Sequence, residues 1–126
     1  MTNMNDLYKC SICGNVAEIV HPGAQNLVCC NKTMEKLDPK TEDIGKEKHV
    51  PIIEQSGPGI LVKVGSIDHP MEEKHYIKFI EVLTKKQVLR AELVIGQRPV
   101  AEFLVKPEDI LTVRSYCNLH DLWQNK

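Results

Sequence analysis

The chain has 126 residues and a net charge of −1, with an isoelectric point near 6.5. So even a balance excludes the basic excess that nucleic acid or an anionic membrane surface demands of a partner. No run approaches the roughly 20 apolar residues that span a bilayer, and the start MTNMNDLYK lacks the basic opening and apolar run of a secretory leader. A cytoplasmic location is expected, where thiols stay reduced.

Residues 1–37 hold Cys10, Cys13, Cys29 and Cys30, four of the five cysteines, and no regular apolar pattern. An odd cysteine count in a reducing compartment points to metal or catalysis rather than to a disulfide framework. Cys10-Ser11-Ile12-Cys13-Gly14 is a Cys-x-x-Cys knuckle, and Cys29-Cys30 follows as an adjacent pair. Four thiolates give a tetrahedral site suited to iron or zinc. A module this small buries too little apolar surface to fold alone, so the metal would supply much of its stability. A thioredoxin-like redox pair would need a βαβ context, which is missing. A zinc ribbon would carry a second Cys-x-x-Cys knuckle; adjacent ligands allow no relaxed loop and are expected to distort the tetrahedron. His21, in His21-Pro22-Gly23, reads as an ordinary turn residue.

The polar stretch 38–43 reads as a linker or first loop. Beyond it, short β-rich runs alternate with turn residues. Ile60–Val64 stops at Gly65; Tyr76–Leu83 follows; Leu89, Ala91, Leu93 and Ile95 alternate with Arg90, Glu92 and Val94 up to Gly96; Ala101, Phe103 and Val105 alternate up to Pro107; Ile110–Tyr116 is last. Period-two alternation with breaks every 8–12 residues or so marks an antiparallel sandwich or barrel. In the last strand Leu111, Val113, Ser115 and Cys117 share one face, so Cys117 is expected to point inward with Leu111 and Val113.

His49 precedes Pro51, His69 precedes Pro70, His75 opens a strand, and Cys117-Asn118-Leu119-His120 puts a thiol and an imidazole three residues apart past a strand end. All can converge on one end of a sandwich. Five candidate ligands exceed the four of tetrahedral zinc. Blue copper would use two histidines, one cysteine and an axial methionine such as Met71, leaving the other histidines without a task. Iron accommodates five ligands and a vacant sixth position.

Taken together, YKCSICGN, LVCC, KEKHVP, HPMEEKHYI and YCNLHDLW, in this order, make the chain resemble desulfoferrodoxin, the two-iron form of superoxide reductase. The resemblance implies a mainly β protein. Residues 1–37 would be a desulforedoxin-like module holding one iron on Cys10, Cys13, Cys29 and Cys30. Residues 38–126 would be an immunoglobulin-like β-sandwich holding a second iron on His49, His69, His75 and His120 in a plane, with Cys117 axial. Asn31 and Asp121 stand where the family often has glycine; both residue types tolerate positive φ.

The implied activity is one-electron reduction of superoxide to hydrogen peroxide without oxygen release, with a rubredoxin-like electron donor and a homodimer as the assembly. Lys48, beside His49, would attract the anion, and Glu47 would be the sixth ligand of the ferric state. The four-cysteine iron either relays electrons or holds the fold and dimer together. Two other readings compete. A non-enzymatic two-iron electron carrier of rubredoxin type would keep its iron coordinatively closed, against the five-ligand count. A zinc-ribbon nucleic-acid module is opposed by the neutral charge and the 5% aromatic content.

Overall fold

The structure, a computed structural model, describes residues 2–125. It divides into two compact units, Met1–Asp38 and Pro39–Lys126. Among the described residues there is no α-helix; every regular element is a strand apart from one 3-10 turn at Pro107–Asp109.

In the first unit, β1 (Leu7–Lys9) lies between β2 (Val16–Glu18) and β5 (Glu35–Lys36), and β3 (Val28–Cys29) pairs with β4 (Lys32–Thr33) as a separate hairpin. Strands of two or three residues leave little to bury. The core is Tyr8, Cys10, Ile19 and Met34, with Ala17, Leu27 and Cys29 packed against it. Two of these seven are cysteines, so the apolar cluster merges with the sulfur cluster.

The second unit is a sandwich of two antiparallel sheets. One is ordered β10-β7-β6, from β6 (Pro51–Ser56), β7 (Gly59–Val64) and β10 (Val100–Phe103). The other is ordered β12-β11-β8-β9, from β8 (Ile77–Thr84), β9 (Val88–Glu92), β11 (Ile110–Cys117) and β12 (Asp121–Gln124). The alternation in the sequence does what period-two chemistry requires. Ile60, Val62 and Val64 of β7 face Ile80 and Val82 of β8 and Val113 of β11 in one closed core. Residues of the other parity point away from it. On the outer face Glu81 pairs across strands with Arg114 and Arg90, at 2.7 and 2.9 Å, and is fully buried. A buried carboxylate is tolerated there because each of its oxygens meets a guanidinium.

Two bulges correct the simple alternation. Ile110 pairs with Thr84 but Thr112 pairs with Leu83, so Leu111 is an extra residue on β11. Leu111 is therefore turned out, 59% exposed, instead of lying inward with Val113. The bulge leaves the phase of Val113, Ser115 and Cys117 intact, and all three are completely buried. At the other end, Tyr116 pairs with Phe79 and Cys117 with Ile77, so β8 carries the extra residue. That shift lets Ile77 and Ile80 both face the core and sets Cys117 at the lip of the sandwich, under the loops that follow.

Candidate metal centres

In the first unit the sulfur atoms of Cys10, Cys13, Cys29 and Cys30 lie within 4.8 Å of one another. Cys13 Sγ is 3.6 Å from Cys29 Sγ, and Cys29 Sγ is 4.0 Å from Cys30 Sγ. Four sulfurs on a metal with bonds of about 2.3 Å stand about 3.8 Å apart, so these spacings already fit a tetrahedral ion. The distortion expected from adjacent ligands falls on the backbone instead. Cys30 and Asn31 have φ of 52° and 59°, the left-handed region that side chains ordinarily avoid. The knuckle supplies the counter-charge: the Cys13 backbone N–H points at Cys10 Sγ at 3.5 Å. This contact, with a second from Ile12, lowers the Cys10 thiol to about 6, while crowding by the Cys13 sulfur pushes Cys30 up to about 12. The Cys10 thiolate forms readily, while the raised Cys29 and Cys30 thiols await a cation. Exposed His21 takes no part in this group.

In the second unit His49, His69, His75, His120 and Cys117 converge on one end of the sandwich, donor atoms within 4.8 Å. His49 lies two residues before β6, His69 follows β7, His75 lies two residues before β8, and His120 is in the β11–β12 turn. The four rings form a closed cycle. Centroids are 4.5 Å apart for His49–His69, 4.6 Å for His69–His75, 5.2 Å for His75–His120 and 4.9 Å for His120–His49, each pair strongly tilted. Cys117 Sγ lies 3.6 Å from His69 Nε2 and 3.7 Å from His120 Nδ1. His49 Nε2 and His69 Nε2 are 3.0 Å apart, the separation of two donors at right angles on a cation with bonds of about 2.1 Å.

One atom tests the fit directly. His75 Nε2 is buried and has no hydrogen-bond partner. Glu47 Oε2, 3.0 Å from it and 3.9 Å from His69 Nε2, is likewise buried and unpartnered. The two atoms are close without being aligned for a hydrogen bond. Buried polar atoms without partners are rare and costly, and a cation among the five donors would satisfy both. Burial lowers His49 to about 4, helped by His69 and His120, and lowers His69 too, so both rings are neutral and can donate lone pairs at physiological pH. Burial raises the Cys117 thiol, partly opposed by the backbone N–H groups of Leu119 and His120. A cation would draw off its proton.

The desulfoferrodoxin model matches residues 41–126, and the model of the desulfoferrodoxin N-terminal domain matches residues 2–37. The chain belongs to the desulfoferrodoxin family. A desulfoferrodoxin homolog of Methanothermobacter thermautotrophicus is 50% identical over 98% of this chain and 99% of its own length. The desulfoferrodoxin of Nitratidesulfovibrio vulgaris is 44% identical over 98% of each. Among solved structures, the superoxide reductase of Treponema pallidum aligns with a TM-score of 0.79 at 27% identity, covering 96% of this chain and 97% of that one. The expectation of a mainly β desulfoferrodoxin with two iron ions per chain is borne out by family, fold and donor groups together.

Around the donors lies a set of groups that orient them. His69 Nδ1 donates to the Pro70 carbonyl at 2.8 Å, which leaves Nε2 bare and aimed at its fellow donors. Asp43 Oδ1 accepts the backbone N–H groups of His49 and Val50 at 2.6 and 3.1 Å. Ser115 Oγ donates to the His49 carbonyl at 3.2 Å. Asn118 accepts from the Tyr76 N–H at 2.9 Å and donates to the Lys74 carbonyl at 3.0 Å, tying the His75 loop to the Cys117 turn. Met71, the sequence's candidate axial ligand for copper, instead accepts the Ile77 N–H on its sulfur at 3.3 Å and lies in the core. Asp121 has φ of 65°, the conformation its replacement of glycine requires. Lys48 is not drawn into the donor group; its ammonium donates to the Gly45 carbonyl at 3.0 Å, at the surface. A Cβ on Gly65 would lie 3.0 to 3.1 Å from Lys48 Cβ, C and O, so only glycine lets β7 end so close under that loop.

The orienting roles of Asp43, Ser115 and Asn118 are not marked in the sequence. Asp43 falls in the stretch read as a linker, and Asn118 and Ser115 carry no spacing signal. Asn118 could have been suspected from its place between the donors Cys117 and His120.

Proposed function

We propose that the chain is a superoxide reductase: superoxide takes up one electron and two protons and leaves as hydrogen peroxide, with no oxygen released. The observation that carries this reading is the ring of four imidazoles over one buried thiol, with a half-exposed carboxylate beside it. His49, His69, His75 and His120 would hold iron with Cys117, and Cys10, Cys13, Cys29 and Cys30 the other iron. Iron bound by the five-donor group would supply the single electron, being able to pass between ferrous and ferric states.

The chain's own residues do the rest. Four neutral imidazoles would favour the ferrous state, while the Cys117 thiolate would favour the ferric one and so help the centre give its electron up. The N–H groups of Leu119 and His120 facing the sulfur temper that donation. Lys48, a half-buried residue of the loop that carries His49 with its ammonium at the surface, adds positive potential and draws the anion in. Protons come from solvent, which reaches this end of the sandwich at Glu47, 41% exposed. Glu47 would be the residue that offers a hard carboxylate oxygen to a ferric ion. A rubredoxin-like donor in the cytoplasm would return the electron, and a homodimer is the proposed assembly. Among the described residues no helix is long and apolar enough to cross a membrane.

Anaerobically purified protein should give two separable iron–thiolate spectra, the second appearing as the His/Cys iron oxidises with superoxide. Cys117→Ser should abolish the second and leave the first intact. Loss of both, or of neither, contradicts the assignment.

A further inference from the structure

Trp123 of β12 lies flat against the His49 ring, centroids 4.5 Å apart at an interplanar angle of 12°. Its Nε1–H donates to the His120 carbonyl at 2.9 Å. The same carbonyl accepts from Lys40 Nζ at 3.1 Å, and that ammonium stands 5.0 Å from the Trp123 ring centroid. Lys40 is fixed by its backbone as well. Its N–H donates to the Leu122 carbonyl at 3.0 Å and its carbonyl accepts from the Gln124 N–H at 2.9 Å, so it forms a parallel bridge along the free edge of β12. It lies between the two family matches, which end at residue 37 and resume at 41.

We propose that Lys40 and Trp123 are positioning residues for the iron centre: they fix the His49 ring and the His120 turn, and the Lys40 charge biases the centre toward its reduced state. The argument is one of convergence. Two donors on one carbonyl use both its lone pairs and immobilise the turn that carries His120 and, three residues earlier, Cys117. The indole face fixes the plane of a second donor from the side. A cation held in this place, stacked on the ring that touches His49, stabilises whichever oxidation state has less positive charge, which is the ferrous one. Because Lys40 is exposed, its field is open to screening by salt.

The inference rests on the reading of the five-donor group as an iron centre, and iron analysis of the full-length wild-type protein decides that separately. A wild-type chain holding no iron on His49, His69, His75, His120 and Cys117 removes both readings. With iron present, the ferric-to-ferrous ratio at a fixed applied potential is measured spectroscopically, and iron release to a chelator is timed. Lys40→Met should move the ratio about threefold toward ferric at low salt, with the shift shrinking at high salt. Lys40→Gln, which keeps a donor for the carbonyl but no charge, should shift the ratio equally. Lys40→Arg should restore it. Trp123→Phe keeps a ring for His49 but loses the N–H, and should release iron about tenfold faster. An unchanged ratio in Lys40→Met, a shift indifferent to salt, or unchanged release in Trp123→Phe overturns the proposal.

Discussion

Asp43 carries the Glu47–Lys48–His49 loop on a single carboxylate oxygen. That oxygen takes the N–H groups of both His49 and Val50, so removing it strands two backbone donors at once. Asp43→Ala should destabilise the loop by about 1–3 kcal/mol and cut iron retention by about 10–100-fold, read by chelator competition. Asp43→Asn keeps an acceptor and should recover most of the loss. Equal retention in all three would mean the loop is held some other way. The role proposed for Lys48 is one of longer range. Lys48→Ala should slow superoxide capture about tenfold at low salt and flatten its salt dependence; rates equal to wild type at both salt levels would remove the steering role. The contrast between the two residues explains what could be read in advance. Histidines and cysteines suggest metal chemistry by type and spacing, so the nine residues that gather in the two groups were legible. Asp43 acts through backbone groups that belong to other residues, and an aspartate in a polar stretch looks the same whether it caps a loop or faces water.

Strands were legible for the same reason that donors were: alternation is a property of the chain itself. The five runs read from alternation correspond to β7, β8, β9, β10 and β11. Where reading stopped short, the cause is pairing with another strand. Leu111 continues the apolar phase of Val113, yet the register of β11 against β8 turns it to solvent. Only the partner strand decides that. Leu111→Ser should therefore change stability by less than about 0.5 kcal/mol. Val113→Ala, at a fully buried site, should cost about 2 kcal/mol or more. Denaturant titration separates the two, and a large loss in Leu111→Ser would refute the bulge. β12 went unread because Asp121–Gln124 is short and shows no alternation; it exists as an edge paired to β11. Its place matters to the site, since the β11–β12 turn carries His120 and β12 presents Trp123 to His49.

The whole molecule follows one division of labour. The sandwich has a continuous core of its own, and one end of that core, around Cys117, carries a donor group. The first unit has seven apolar or sulfur-bearing residues in its core, two of which are also metal donors, so metal and fold are the same event there. Each unit matches its own family model, and the pair spans nearly the whole chain. The central claim concerns the chemistry at the open end of the sandwich, and a stoichiometry tests it most directly. Ferrous protein, prepared without oxygen, is mixed with a known amount of superoxide while peroxide and oxygen are measured together. A superoxide reductase yields one peroxide for each superoxide consumed and no oxygen, with one His/Cys iron oxidised per event. One peroxide and one oxygen for every two superoxide ions, or superoxide left unconsumed by the ferrous centre, would contradict the account.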